Sequence, residues 1–555
     1  MVWGRGALAG FLAIFFLSGT VGSVHAQGGS SAWRISKTEW TATDERGYAE
    51  FIEAFGAADC WTLDECLKST ANPYRHTDPK TRFLADCADL PYFLRAYYAW
   101  KNGLPFAFQS AMLSGDGPGS DPRYSTAGNQ VVGRDWVSAT AKGANAPILL
   151  NTLRSTVSTA MFRHHAAADE AVNFTDMYAV KLSRDAIRPG TIVYDVNGHV
   201  AMVWRVQPDG KILTISSHPD NSLSRSFYGR QFLRTDPDLG AGFKNWRPIK
   251  LVGATKAPDG MLIGGQIEAV GNSEIEDFSL EQYLGTKPGQ GDWQKAEFIH
   301  KGEPIDYYDY VRIVMAEGEF AYRPVEETRA AMRSLCGDIE ARVSAVHRAT
   351  RRGAPNQPHP KTLPDNIYGT YGSWENFSTP SRDARLKVRV KQLRDQVETF
   401  IGMHKTGNPR LAYQGDDLAG DMLAVYAQEA ASCKITYRNS DKKPVTLTLG
   451  DVLGRLFDLS FDPYHCTERR WGAREPEELA SCPTDEIKDR WYAAEQPLRY
   501  QIHRTYDVFM GHTLEALEAG PFGTHTGKGV ETRPDLDIRA YLESQAALLT
   551  ATIGP

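Results

Sequence analysis

The sequence predicts an α+β chain in two parts, a mixed α/β N-terminal domain followed by a mainly α-helical C-terminal domain. Three observations carry that reading. From Trp33 to about Val252, short apolar runs alternate with aromatics and turn residues. From about Pro258 to Gly302, Gly and Pro recur in APDGMLIGGQ and LGTKPGQGDW, which marks a connector or small β insertion. Beyond Tyr307, apolar residues return at spacings of three and four, the signature of helices with one buried face.

At the N-terminus, Arg5 precedes the apolar run ALAGFLAIFFLSGTVG, and Val24, His25 and Ala26 form a small-residue ending. Residues 1–26 are therefore expected to be a secretory signal, with a mature chain beginning at Gln27. The run is interrupted by Ser18, Gly19 and Gly22, which disfavours a membrane anchor. Cleavage would leave a protein with no stable membrane insertion, exported to the periplasm or the medium. A hydrophobic fraction of 42% and a charged fraction of 23% argue for a chain folded throughout. A net charge of -6 argues against nucleic acid as a partner.

The expected domains are 27–255, then a connector over 256–306, a helical domain over 307–520, and a loop with a short terminal helix over 521–555. Within the first, RFLADCADLPYFLRAYYAWKNGLPF reads as a helix whose buried stripe carries Leu90, Phe93, Leu94, Tyr97 and Tyr98, with Gly103 as C-cap. Pro91 requires either a distorted first turn or a later start. Further along, RPGTIVYDVNGHVAMVWRVQPDGKILTISSHPD reads as a hairpin whose Asn197-Gly198 turn sets His199 at the head of a strand. If Asp209 and Gly210 make a two-residue turn, Ala201 falls opposite His218, and His218 shares a face with His199. A one-residue slip would reverse that.

In the C-terminal part, helices are expected over Val325–Arg351, Arg382–His404 and Leu418–Ser432, the second started by Thr379 and Pro380. KITYRNSDKKPVTLTL reads as a hairpin ending at Thr448, which caps a helix carrying Val452, Leu453 and Leu456.

Seven cysteines in an exported chain leave one unpaired. Cys60 with Cys66, Cys466 with Cys482, and Cys336 with Cys433 are the expected disulfides, and Cys87 is the odd one. No CxxC occurs, and only Cys466 has a neighbouring histidine, His465, so disulfides are expected rather than metal ligation. Cys87 stands at the expected helix start, where oriented N–H groups favour a thiolate and bind an oxyanion. A nucleophile needs a base. His199 is the candidate, with His218 as its orienter and Ser217 as the alternative orienter. The bland reading of Cys87 is a small buried hydrophobe. His164, His165 and Asp169 are expected on a solvated surface rather than at a metal, and Trp61, Trp100 and Trp204 either line a cleft or pack the core.

DCADLPYFLRAYYAWKNGLPF followed by PGTIVYDVNGHVAMVW resembles the NlpC-type branch of the papain-like cysteine peptidases. That family has a helix-borne Cys after an Asp, then a Gly-His-Val strand, then a polar residue on the next strand. Cys87, His199 and His218 match in that order, over roughly residues 83–220 and with a long insertion between the first two. The resemblance implies a papain-like N-terminal domain and hydrolysis of an amide or isopeptide bond, possible substrates being peptidoglycan stem peptides. Asp86 and Asp89 are the expected substrate contacts, and no metal or organic cofactor is required. The chain has Ala88 and Asp89 where the family has Ser and Gly. Transglutaminase-like acyl transferases share the Cys-then-His order with an Asp as third residue, for which Asp220 is nearest. A non-catalytic envelope protein on the same scaffold is the alternative from another class. The sequence names no partner for the helical domain.

Overall fold

The computed structural model describes residues 31–287, 291–368, 372–377, 379–504 and 508–552. The expected signal segment lies outside them. Among the described residues no helix is long and apolar enough to cross a membrane.

The chain is a mixed helix and sheet protein. Its main sheet has six antiparallel strands in the order Met177–Ala179, Gly242–Trp246, Ile192–Asp195, His199–Val206, Ile212–Ser217 and Leu223–Phe227. Period-two alternation lets it bury both faces. Tyr194, Val200, Met202 and Ile215 join one apolar cluster with Phe51, Phe55, Phe93 and Tyr97, from the helices Ala42–Ala57 and Asp89–Asn102. Val193, Ala201, Val203 and Phe243 join another with Tyr307, Tyr310, Val311 and Met315. The helix Tyr307–Met315 therefore packs on the sheet, although the sequence reading opened the helical domain with it. The expected connector contributes small two-stranded pairs, Thr255–Lys256 with Leu262–Ile263 and Phe298–His300 with Glu303–Ile305.

The C-terminal part follows its periodicity closely. Helices span Pro324–Arg351, Thr379–Lys405 and Leu418–Ser432, and Leu335, Ile339, Val390, Leu393, Val397 and Met422 meet in one cluster. The strands Lys434–Arg438 and Pro444–Thr448 form the expected hairpin. Thr448 caps the next helix in a reciprocal box with Asp451. All three disulfides are formed, Cys60–Cys66, Cys336–Cys433 and Cys466–Cys482, and Cys87 is free. Such a set fits an oxidising compartment.

Candidate active site

The turn that carries Cys87 is built by two carboxylates. Asp86 Oδ1 accepts from the amides of Ala88 (2.9 Å) and Asp89 (3.1 Å), while Asp89 Oδ2 accepts from the amide of Asp86 (3.2 Å). This is a capping box with acids at both ends. The regular helix runs Asp89–Asn102, so Pro91 falls in its first turn, where a missing N–H costs little. Among the described residues, the Cys87 amide has no hydrogen-bond acceptor, and it is the N–H of this turn that neither carboxylate takes. Gly103 ends the helix in the left-handed region at φ 62°.

Asp86 and Asp89 were expected as substrate contacts, and the backbone claims both. Asp89 is 1% exposed and does not line the pocket at Cys87, whereas Asp86 does.

His199 and His218 come together through two register changes that cancel in parity. The hairpin turn has three residues, because Gln207 pairs with Lys211 across Pro208, Asp209 and Gly210. That is the slip which reverses the face. A β-bulge between Val203 and Arg205 then adds a second step, giving Val203 opposite Thr214 and Met202 opposite Ile215. Carried to the strand ends, this register sets His199 directly across from His218, rather than diagonally as the two-residue turn required. The two rings are near-parallel, 13° apart in plane with centroids 5.8 Å apart.

Cys87, His199 and His218 line one small pocket of about 100 Å³ with Asp86, Arg123 and Ser158. Tyr368, Glu375, Ser381 and Arg385 close it from the C-terminal half. The alternation along the strand places His199 with Ala201 and Val203, whereas the Cys87 helix packs on the face of Val200 and Met202. Thiol and imidazole thus approach the pocket from opposite sides of the strand end. No hydrogen bond joins them among the described residues. The Val200 N–H points at the Cys87 sulfur and favours its thiolate.

His218 does not hold His199 by a hydrogen bond. Its Nε2 lies 2.8 Å from Ser224 Oγ and its Nδ1 3.5 Å from an Arg385 nitrogen, so its contact with His199 is through the ring face. The two other candidates for the third position are engaged elsewhere. Ser217 donates to the Ala85 carbonyl at 2.6 Å, tying the strand to the segment before Cys87. Asp220 receives Arg382 at 3.0 and 3.2 Å and the Ser222 hydroxyl at 2.5 Å.

The electrostatics favour uncharged partners. Burial pushes the Cys87 thiol up, and the Asp86 carboxylate adds to this, outweighing the Val200 N–H and Arg385. A lowered thiol was expected from the helix N-terminus; desolvation and the two capping acids reverse it. Burial holds His199 well below the usual histidine value, followed by Arg385 and by His218, and burial with Arg382 and Arg385 does the same to His218. Glu375 is pushed up to about 7, by burial first and despite Arg123. It is thus a carboxyl poised near neutrality on the pocket wall, and the sequence reading missed it because it lies 288 residues from Cys87, in a helical segment with no motif.

The histidine pair of FRHHAAADEA divides. His165 is exposed and meets Asp238 at 3.2 Å, but His164 is 1% exposed, which corrects the expectation of a solvated surface for both. Trp100 is core at 1% exposure, Trp61 is 54% exposed, and neither they nor Trp204 line the pocket.

No protein-family model, curated protein or solved structure matches this chain.

Proposed function

We propose that the protein is an exported cysteine hydrolase with a papain-like N-terminal domain that cleaves an amide or isopeptide bond. The observation that carries this is the meeting of Cys87, His199 and His218 in one pocket beside an uncommitted Cys87 amide. The amide is a ready donor for an oxyanion. His199 takes the thiol proton as Cys87 attacks the carbonyl carbon, then returns it to the leaving amine; water releases the acyl group from sulfur. Because both partners rest uncharged, proton transfer accompanies attack instead of preceding it. His218 positions the His199 ring by stacking. By resemblance, the substrate is a peptidoglycan stem peptide or a similar peptide.

Asp220 sits on Arg382 and not on a histidine, which works against a transglutaminase-like arrangement. One observation favours a non-catalytic scaffold: the raised thiol lies in a pocket that the C-terminal half closes. Digestion of purified muropeptides, followed by mass spectrometry, separates the readings. A hydrolase adds one water per cleaved amide and loses this with Cys87→Ser. Intact muropeptides that nevertheless bind the protein support the scaffold.

A further inference from the structure

The C-terminal half buries a second group of chemistry-bearing side chains, away from Cys87. His359, Asp462, His465 and Glu495 have side chains at most 2% exposed. They come from three separate segments: the loop after Ala354–Asn356, the turn before Thr467–Arg470, and the junction of the helices Glu486–Ala494 and Gln496–Tyr500. One donor atom each from His359, Asp462 and Glu495 lies within 4.8 Å of the other two.

Their hydrogen bonds are incomplete. His359 Nδ1 lies 2.7 Å from the Pro360 carbonyl, which fixes the proton on that nitrogen, and its Nε2 faces Asp462 Oδ2 at 2.8 Å. Trp491 stacks on the ring at 4.1 Å and holds it there. His465 repeats the pattern independently: Nδ1 is held by the Ser460 hydroxyl at 2.7 Å, while the buried Nε2 has no hydrogen-bond partner and stands 3.5 Å from Asp462 Oδ2. Neither oxygen of Glu495 has a hydrogen-bond partner either. Its nearest guanidinium is Arg499, whose Nη1 faces it at 3.9 Å, too far for a hydrogen bond and with no other partner, while Nε and Nη2 bond the Phe457 carbonyl and Gln496. A proton on His359 Nε2 satisfies the His359–Asp462 contact alone. It leaves His465 Nε2 without a partner, and Glu495 faces Asp462 with no donor between the two carboxyls unless they share a proton.

An imidazole whose outer nitrogen is held by a carbonyl, and two buried carboxylates, form the donor set and outer shell of a divalent transition-metal site. We propose that His359, Asp462 and Glu495 bind one divalent ion of the Zn²⁺ class. The ion joins three segments of the helical half. It plays no part in the Cys87 chemistry.

The test uses the oxidised, untagged mature protein. Elemental analysis should find about one equivalent of zinc per chain, and chelation should lower the melting temperature by at least about 5 °C, restored by Zn²⁺ alone. Glu495→Gln and His359→Gln should each lose the equivalent, with the far-ultraviolet dichroism retained. Less than about a tenth of an equivalent after growth and refolding with added Zn²⁺, with no shift in melting on adding it, overturns the proposal. So does Glu495→Gln melting higher than wild type, the sign of a carboxylate pair that shares a proton. Zinc retained equally by both variants also overturns it, since the ion then sits elsewhere.

Discussion

Asp86 bonds the amides of Ala88 and Asp89 and also stands beside the Cys87 thiol, so one carboxylate starts the helix and opposes the thiolate. Asn caps a helix about as well as Asp but carries no charge. Asp86→Asn should therefore keep the fold, lower the thiol's pKa and raise its alkylation rate at fixed pH roughly fivefold or more. Stopped alkylation with iodoacetamide and peptide mapping reads this; a slower rate would mean that Asp86 acts through the cap alone. His199→Ala should cost roughly a hundredfold or more in turnover of any acyl substrate, the range of a general base. His218→Ala, which removes only the stacked ring, should cost less and move the pH profile, because His218 is among the groups that hold His199 low.

At the scale of elements, the helix Thr379–Lys405 closes one side of the pocket, through Ser381 and Arg385. Its Arg382 pairs with Asp220 at the end of the histidine hairpin, and Arg385 reaches His218. Arg382 is 7% exposed and Asp220 3%, so Arg382→Ala leaves a buried carboxylate with only Arg348 at 3.8 Å and Ser222 as partners, and should cost up to about 3–5 kcal/mol by denaturant unfolding. Burial raises the Asp220 pKa, but Arg382 and Ser222 more than offset this and hold it at about 2. Its folded value lies below the unfolded one, so this contribution is complete above about pH 4 and lost as pH falls towards 2. About 2 kcal/mol of stability should disappear across that window in the wild type, and less in Arg382→Ala.

The same elements show what the sequence made legible. Helix spans, caps and the Asn197-Gly198 turn depend on local signals, and they were readable: Gly103 and Thr448 sit where their chemistry requires. A two-residue Asp209-Gly210 turn predicts the right face for His218 in the wrong register. A bulge at Trp204 leaves no mark in a run of apolar residues, so only the parity of the result survived. Glu375, Arg385 and His359 were invisible because their partners lie a hundred or more residues away.

For the whole molecule, the free thiol and the three disulfides divide the labour between site and scaffold. Intact mass before and after reduction under denaturing alkylation should count six cysteines released and one already free. Cys336–Cys433 closes a separation of 97 residues across the helical core, and removing both cysteines should cost up to about 4–5 kcal/mol by denaturant unfolding. A pocket walled by both halves also means that the helical part shapes the site chemically, through Glu375 and Arg385. The central claim is that Cys87, assisted by His199, attacks an acyl carbon. It is tested most directly by mixing the folded protein with p-nitrophenyl acetate and following product release and intact mass together. The account predicts one acetyl group carried transiently on Cys87, formed roughly a hundredfold more slowly in His199→Ala. Acetylation spread over lysines, or reaching Cys87 only after unfolding, would contradict it.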